Sequence, residues 1–194
     1  MMKKKGIFWM NLMLAFTLIV GLVFPTTNVS AESKSEKKKV LVVYFSATGT
    51  TKSAAKKIKK ATGGTLYQIK AAKPYTSADL SYDNDDCRAN TEQRDGSVRP
   101  KIKGKVKNIK KYDVIFIGYP IWWNKEPMII RTFLESYNLK GKTIVPFCTS
   151  GGSGISGSMT GIKASAKGAK VVKGKDLTDS SAKSVKNWAK KNVK

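Results

Sequence analysis

Three short stretches carry residues whose types and spacing could do chemistry together. Residues 46–51 read Ser-Ala-Thr-Gly-Thr-Thr, placing the hydroxyls of Ser46, Thr48, Thr50 and Thr51 directly after an apolar run. If a helix starts there, its first amides and these hydroxyls form a donor set for an anion, above all a phosphate. Helix capping alone accounts for about two of the hydroxyls. The spacing is neither GxxxxGK[ST] nor GxGxxG, so this is not a triphosphate loop or a dinucleotide loop. Residues 120–127 read Pro-Ile-Trp-Trp-Asn-Lys-Glu-Pro. Two adjacent Trp at the mouth of a buried strand put at least one ring on a crevice, a flat surface for an aromatic ligand, unless both pack into the core. Residues 148–154, Cys-Thr-Ser-Gly-Gly-Ser-Gly, are nearly bare of side chains, and a planar ring can approach such a backbone closely. The three together suit a phosphorylated ligand with a planar ring.

Other chemistries fit poorly. The chain has no His, and Cys87 and Cys148 are far apart, which removes the usual zinc spacings, any His-based triad and a catalytic metal site. Asp79, Asp83, Asp85, Asp86, Glu92 and Asp95 cluster without the calcium-loop spacing and read as a solvated segment. A GxGxxG does occur, from Gly152 to Gly157 with Asp176 further on, as a dinucleotide site would require. That reading is the weaker, because Asp176 follows a break at Gly174 and because residues 46–51 and the Trp pair are left unexplained. In an oxidising compartment Cys87 and Cys148 could pair, provided their Cα atoms lie within about 7 Å.

The elements that must position these stretches are legible as alternating patterns. Apolar runs at 40–45, 65–69, 113–119, 143–147 and 169–172 read as strands, and residues 51–60, 127–136, 156–167 and 180–191 as helices. Runs such as VLVVYF and VIFIGY imply burial on both faces, and alternation with helices implies a parallel sheet. The expected fold is a doubly wound α/β domain of five strands, with ligands beyond the carboxyl ends of the strands. The three stretches all fall there. Residues 71–112 form a long excursion, expected to be a partly helical flap.

Residues 1–31 look separate from this domain. Lys3, Lys4 and Lys5 precede an uncharged apolar stretch at 7–24, and Val29-Ser30-Ala31 offers a cleavage site. This predicts an exported protein cut near Ala31, or alternatively an anchor formed by residues 7–24. A Lys-rich linker at 32–38 leads into a domain over 39–194. The chain carries 37 Lys and Arg against 13 Asp and Glu, a formal +24, and loss of the three lysines before Ala31 leaves +21. Only Arg88, Arg94, Arg99 and Arg131 are arginines. Lysine supplies solvated point charges rather than bidentate forks, so sequence-specific nucleic-acid recognition is disfavoured. Attraction to an anionic membrane surface or a wall polymer fits the charge, as does a solubilising coat with no partner.

At this point the chain resembles a family. Residues 46–51 resemble the flavodoxin phosphate loop, Thr/Ser-x-Thr-Gly-x-Thr, while GYPIWW and CTSGGSG look like the two loops that hold the flavin ring, over about residues 39–192. The resemblance implies a three-layer α/β/α domain with strand order 2-1-3-4-5 and flavin mononucleotide (FMN) as cofactor. By the same resemblance, Ser46, Thr48, Gly49, Thr50 and Thr51 would meet the phosphate. Pro120, Ile121, Trp122, Trp123 and Asn124 would surround the ring from one loop, and Cys148, Thr149, Ser150, Gly151, Gly152 and Gly154 from the other. Asn124 stands where similar sequences often have Gly, and Asn tolerates the left-handed conformation such a turn needs. No aromatic occupies 148–154, where many flavodoxins place a stacking Tyr, so one flavin face is open or is covered by Tyr75 or Tyr82. The excursion, with PYTSADLSY, resembles an exported flavodoxin-like subgroup. The implied function is electron transfer to a redox partner protein or a quinone-like small molecule. The alternatives are an FMN-dependent NAD(P)H:quinone-type reductase, or a cofactor-free surface binding module.

Overall fold

Local sequence dictates most of the elements in the computed structural model, which describes residues 37–194. The export signal expected over 1–31 and most of the linker lie outside the described residues. In chain order, β1 (Val40–Tyr44) leads to α1 (Thr50–Thr62), β2 (Thr65–Gln68) and the two-residue β3 (Lys70–Ala71). The excursion holds α2 (Arg88–Arg94) and β4 (Ile102–Lys103), which pairs antiparallel with β3. Then follow β5 (Val114–Pro120), α3 (Met128–Glu135), β6 (Thr143–Thr149) and α4 (Met159–Ser165). The chain finishes with β7 (Lys170–Val171), β8 (Lys175–Asp176) and α5 (Ala182–Lys191).

The main sheet is parallel in the order β2-β1-β5-β6-β7, the doubly wound 2-1-3-4-5 arrangement. Side chains alternate between two cores, as period-two strands require. Leu41, Val43, Ile115, Ile117 and Ile144 face α3, α4 and the excursion; Val42, Phe116, Val145 and Phe147 face α1 and α5. Helices on both faces complete three layers and bury all five positions of β1.

The fifth strand differs from its expected form, an unbroken 169–172. Thr143 is level with Lys170 but Phe147 with Lys175, so one extra residue lies opposite Pro146. The amide of Val172 bonds to the carbonyl of Ile144, 3.0 Å away, and the next rung would come from the amide that Pro146 lacks. The edge therefore bulges and resumes as β8.

The Cys87–Cys148 pairing is not present. Both thiols are free and buried, Cys87 capping α2 by accepting from the amide of Asn90 at 3.4 Å and Cys148 lying inside β6. Burial, with Asp176 beside it, pushes the Cys148 thiol upward in pKa. Among the described residues no helix is long and apolar enough to cross a membrane; residues 7–24 are not among them.

Candidate functional site

The end of β1 delivers the chain into the hydroxyl-rich turn, and the turn's geometry is set by its own side chains. Ser46 Oγ accepts from the amide of Gly49 at 3.1 Å, and Gly49 takes φ 101°, a left-handed value that favours glycine. α1 begins at once, with no side chain capping its first amides and no acid in its first turn. Those amides point outward as an uncompensated positive end. Thr51 is buried, its hydroxyl 2.8 Å from that of Thr149 at the end of β6, so it ties the turn to the sheet. Thr48 and Thr50 are exposed, 3.5 Å apart through their hydroxyls. The arrangement leaves two exposed hydroxyls, bonded only to each other, and a row of amides for an anion.

The Trp turn is a two-residue reversal. Trp122 and Lys125 exchange amide-to-carbonyl bonds of 3.0 and 3.0 Å, with Trp123 at φ 47° and Asn124 at φ 59°. Two consecutive left-handed residues make a type I′ turn. Asn124 suits it, whereas a Trp there is uncommon. The two rings part company. Trp122 is 3% exposed and packs edge-on against Phe45, Tyr75 and Tyr82, with centroids 5.6, 5.2 and 6.4 Å away. Trp123 is 59% exposed and donates from Nε1 to Asn90 Oδ1 at 2.6 Å, so it lies against α2.

The excursion latches this turn from below. Gln93 Nε2 donates to the carbonyls of Trp122 at 2.7 Å and Glu126 at 3.2 Å. Glu126 is fully buried, and burial raises its pKa against the opposing pull of Arg131, whose Nε donates to it at 2.7 Å. Tyr75 supports Trp122 from behind; its hydroxyl donates to Glu92 at 2.6 Å and Arg88 stacks 3.9 Å from its ring centre. Burial, with the Glu92 bond, raises the Tyr75 pKa.

The bare loop after β6 is folded around one side chain. Ser150 Oγ donates to Asp176 Oδ2 at 2.7 Å and accepts from the amides of Gly152 and Gly154 at 3.2 and 3.1 Å. Thr178 closes the far side, accepting from the Ser150 amide at 2.9 Å and donating to Asp176 Oδ1 at 2.5 Å. Burial pushes the Asp176 pKa up, but the bonds from Thr178 and Ser150 outweigh it and the net shift is downward. Asp176 is thus an anchor of this loop, which accounts for its place after the GxGxxG without any ribose.

These loops surround one cleft of about 460 Å³. Ser46, Thr48, Thr50 and Thr51 form one wall, Pro120, Ile121 and Trp122 a second, and Thr149, Ser150 and Gly151 a third. Leu80, Tyr82 and Thr178 complete it. Gly49 shapes the first wall through its backbone, while Cys148 is buried in β6, and Trp123, Asn124, Gly152 and Gly154 lie outside the lining. Of the two tyrosines considered as covers, Tyr82 borders the cleft and Tyr75 stands behind Trp122. Leu80, Thr178 and the latch Gln93 carry no local motif that would mark them, and Asp176 is marked only by the GxGxxG spacing, for a different role.

Asp176→Ala should release Ser150 and Thr178 together, losing about 1.5–3 kcal/mol for hydrogen bonds to a charged group. The lowered folded pKa means this stability is present above the unfolded value of about 3.9 and is lost as the pH falls through the folded value. Thermal unfolding from pH 7 down to pH 3 checks it: the gap between the two proteins should close on acidification.

The family described as Flavodoxin matches residues 39–192. A structure provisionally described as a flavoprotein, from Bacteroides eggerthii, is 49% identical with TM-score 0.77 and covers 81% of this chain and 99% of its own. Its counterpart from Bacteroides uniformis is 44% identical with TM-score 0.76, covering 80% and 99%. A flavoprotein from Lactobacillus acidophilus, solved in complex with FMN, is 27% identical with TM-score 0.61 and covers 74% and 95%. No curated protein matches.

Proposed function

The chain belongs to the flavodoxin family, and from that premise we propose that its cleft holds FMN and that the protein carries electrons to a partner protein or a quinone-like small molecule. The observation that carries this reading is the uncapped start of α1, open to an anion, in the same cleft as Trp122 and the Gly151 backbone. The first-turn amides with Thr48 and Thr50 suit a phosphate, and the cleft offers a flat, side-chain-poor wall for a ring. The Lactobacillus acidophilus relative, solved with FMN, supports the choice of ligand. Bound FMN supplies electron-carrying chemistry that no side chain here provides. The residues themselves bind and orient: Thr51 and Thr149 hold the phosphate turn to the sheet, Gln93 holds the Trp turn, and Asp176 holds the bare loop.

An absorption spectrum after adding FMN and desalting tests this. Flavin bands that stay with the protein are expected; a colourless protein would return the cofactor-free binding module. Sustained NAD(P)H oxidation by the loaded protein without a partner would make it a reductase. We place the protein outside the cytoplasm on the order of Lys, apolar stretch and Val-Ser-Ala in residues 1–31. Protein recovered from a secreting host should then begin near Glu32, and an intact Met1 in a membrane fraction would show an anchor.

Lys125, exposed on the Trp turn, is the charge to test for redox tuning. A unit charge about 10 Å away interacts by about 1–2 kcal/mol at an effective dielectric of about 20, before screening. Lys125→Glu should lower the midpoint potential of the loaded protein by several tens of millivolts at low salt, and by less at high salt. An unmoved midpoint would mean that backbone geometry sets the potential.

A further inference from the structure

We propose that the face of the domain opposite the cleft is a docking surface for an anionic lipid bilayer, and that it holds the protein with the cleft turned away from the membrane. A parallel sheet gathers the amino ends of all its strands on one face. Here backbone bonds stitch that face together: Asp113 donates to the carbonyl of Lys39 at 2.9 Å, Thr143 to that of Asp113 at 2.9 Å, and Lys170 to that of Lys142 at 2.8 Å. The segments so joined are rich in exposed lysine. Lys37, Lys38 and Lys39 precede β1, Lys110 and Lys111 precede β5, and Lys140 precedes β6. Lys170 opens β7, and Lys38 bonds to the carbonyl of Lys194 at 2.6 Å, which brings the end of α5 alongside.

Some cations here have an ordinary explanation. Lys59 and Lys60, like Lys190 and Lys191, sit in last helical turns, where they answer the negative end of the helix. Lys110 and Lys111 close a single short turn at Ile109–Lys111, whereas Lys37, Lys39, Lys140 and Lys170 end no helix. Lys37, Lys38, Lys39 and Lys111 line, with the Gly63-Gly64 segment, a depression of about 390 Å³, wide enough for a phosphate headgroup.

Most acids among the described residues lie elsewhere. Asp79, Asp83, Asp85 and Asp86 belong to the excursion that borders the cleft, and Asp176 and Asp179 flank Thr178. Among the described residues the amino end of the sheet has Asp113, already engaged by the Lys39 amide at 2.7 Å, and near it Glu135, held by Arg99 at 2.6 Å. Among the described residues the acids therefore concentrate toward the cleft end, which gives the basic excess a direction. The face is broad and built of lysines without arginine forks or aromatic platforms, chemistry that suits a diffuse anionic plane better than a threaded polymer. Lys37, Lys38 and Lys39 lead into β1 at this face.

The test is co-sedimentation of the full chain with phosphatidylcholine vesicles, with and without phosphatidylglycerol, at low and high salt. Phosphatidylcholine alone measures any insertion of residues 7–24. Lys37, Lys110 and Lys140→Glu together should weaken partition onto the anionic vesicles by about tenfold or more, and salt should do the same. Lys73, Lys125 and Lys183→Glu, the same charge change at the cleft end, should weaken it by less than about threefold. Thermal unfolding confirms that each variant is folded; if the first triple variant is not, Lys110→Glu and Lys140→Glu are measured singly. Equal losses in the two triple variants, no preference for anionic vesicles, or full displacement by soluble polyglycerol phosphate at equal phosphate would each overturn the proposal.

Discussion

Trp122→Ala should abolish measurable retention of FMN and lower the unfolding free energy by about 3–5 kcal/mol, the range for removing a buried large aromatic. The ring is nearly inaccessible and is the common neighbour of Phe45, Tyr75 and Tyr82. Its loss opens a void between the excursion and the phosphate turn, since Phe45 immediately precedes Ser46. The cleft loses one wall and the support of the next. Trp123→Ala is the comparison. That ring is largely in solvent and gives up one hydrogen bond to Asn90, so a loss of about 1 kcal/mol is expected and FMN should still be retained. Equilibrium unfolding and flavin fluorescence titration read both effects. If Trp123→Ala releases FMN as completely as Trp122→Ala, the outer ring is the one that meets the ligand.

Gly118→Ala should be the most damaging single methyl in the sheet. Gly118 is level with Tyr44 on one side and Phe147 on the other, and an added Cβ would lie only 2.0–2.6 Å from three atoms of the Phe147 ring. Overpacking ordinarily costs about 1–3 kcal/mol because neighbours shift. Here the neighbour is a fully buried ring in a central strand, so the upper end of that range or more is expected. FMN binding should fall with stability, since β1, β5 and β6 each carry one of the three loops. Adding Phe147→Leu makes room for the methyl, and the double variant should regain part of the loss. A Gly118→Ala protein as stable as the parent in denaturant titration would show that the ring can move aside.

The central strands were legible because burial on both faces forces continuous apolar runs, and β1 and β5 are such runs. The phosphate turn was legible because its hydroxyls, its glycine and the helix start are contiguous. The bonds that fix the loops work at long range. Gln93 reaches 29 positions to Trp122, and Asp176 reaches 26 to Ser150. Neither has a neighbour in sequence that signals the bond. The divergent fates of the two Trp rings follow from the paired left-handed residues, which send adjacent side chains apart. The acidic cluster reads as a solvated segment, and Asp83, Asp85, Asp86 and Asp95 are exposed, but Glu92 is buried between Tyr75 and Arg88.

The bulge at Pro146 also bears on how the protein behaves at high concentration. An exposed outer strand with an unbroken row of amides and carbonyls invites another chain to add to it. The β7–β8 border offers no such row, because the extra residue opposite Pro146 throws the two halves out of step. Lys170, Lys173 and Lys175 add like charge along it. A neighbouring copy could match only two residues before losing register and would bring lysine against lysine. The same irregularity that shortens the last strand thus keeps this side of the molecule from templating aggregation.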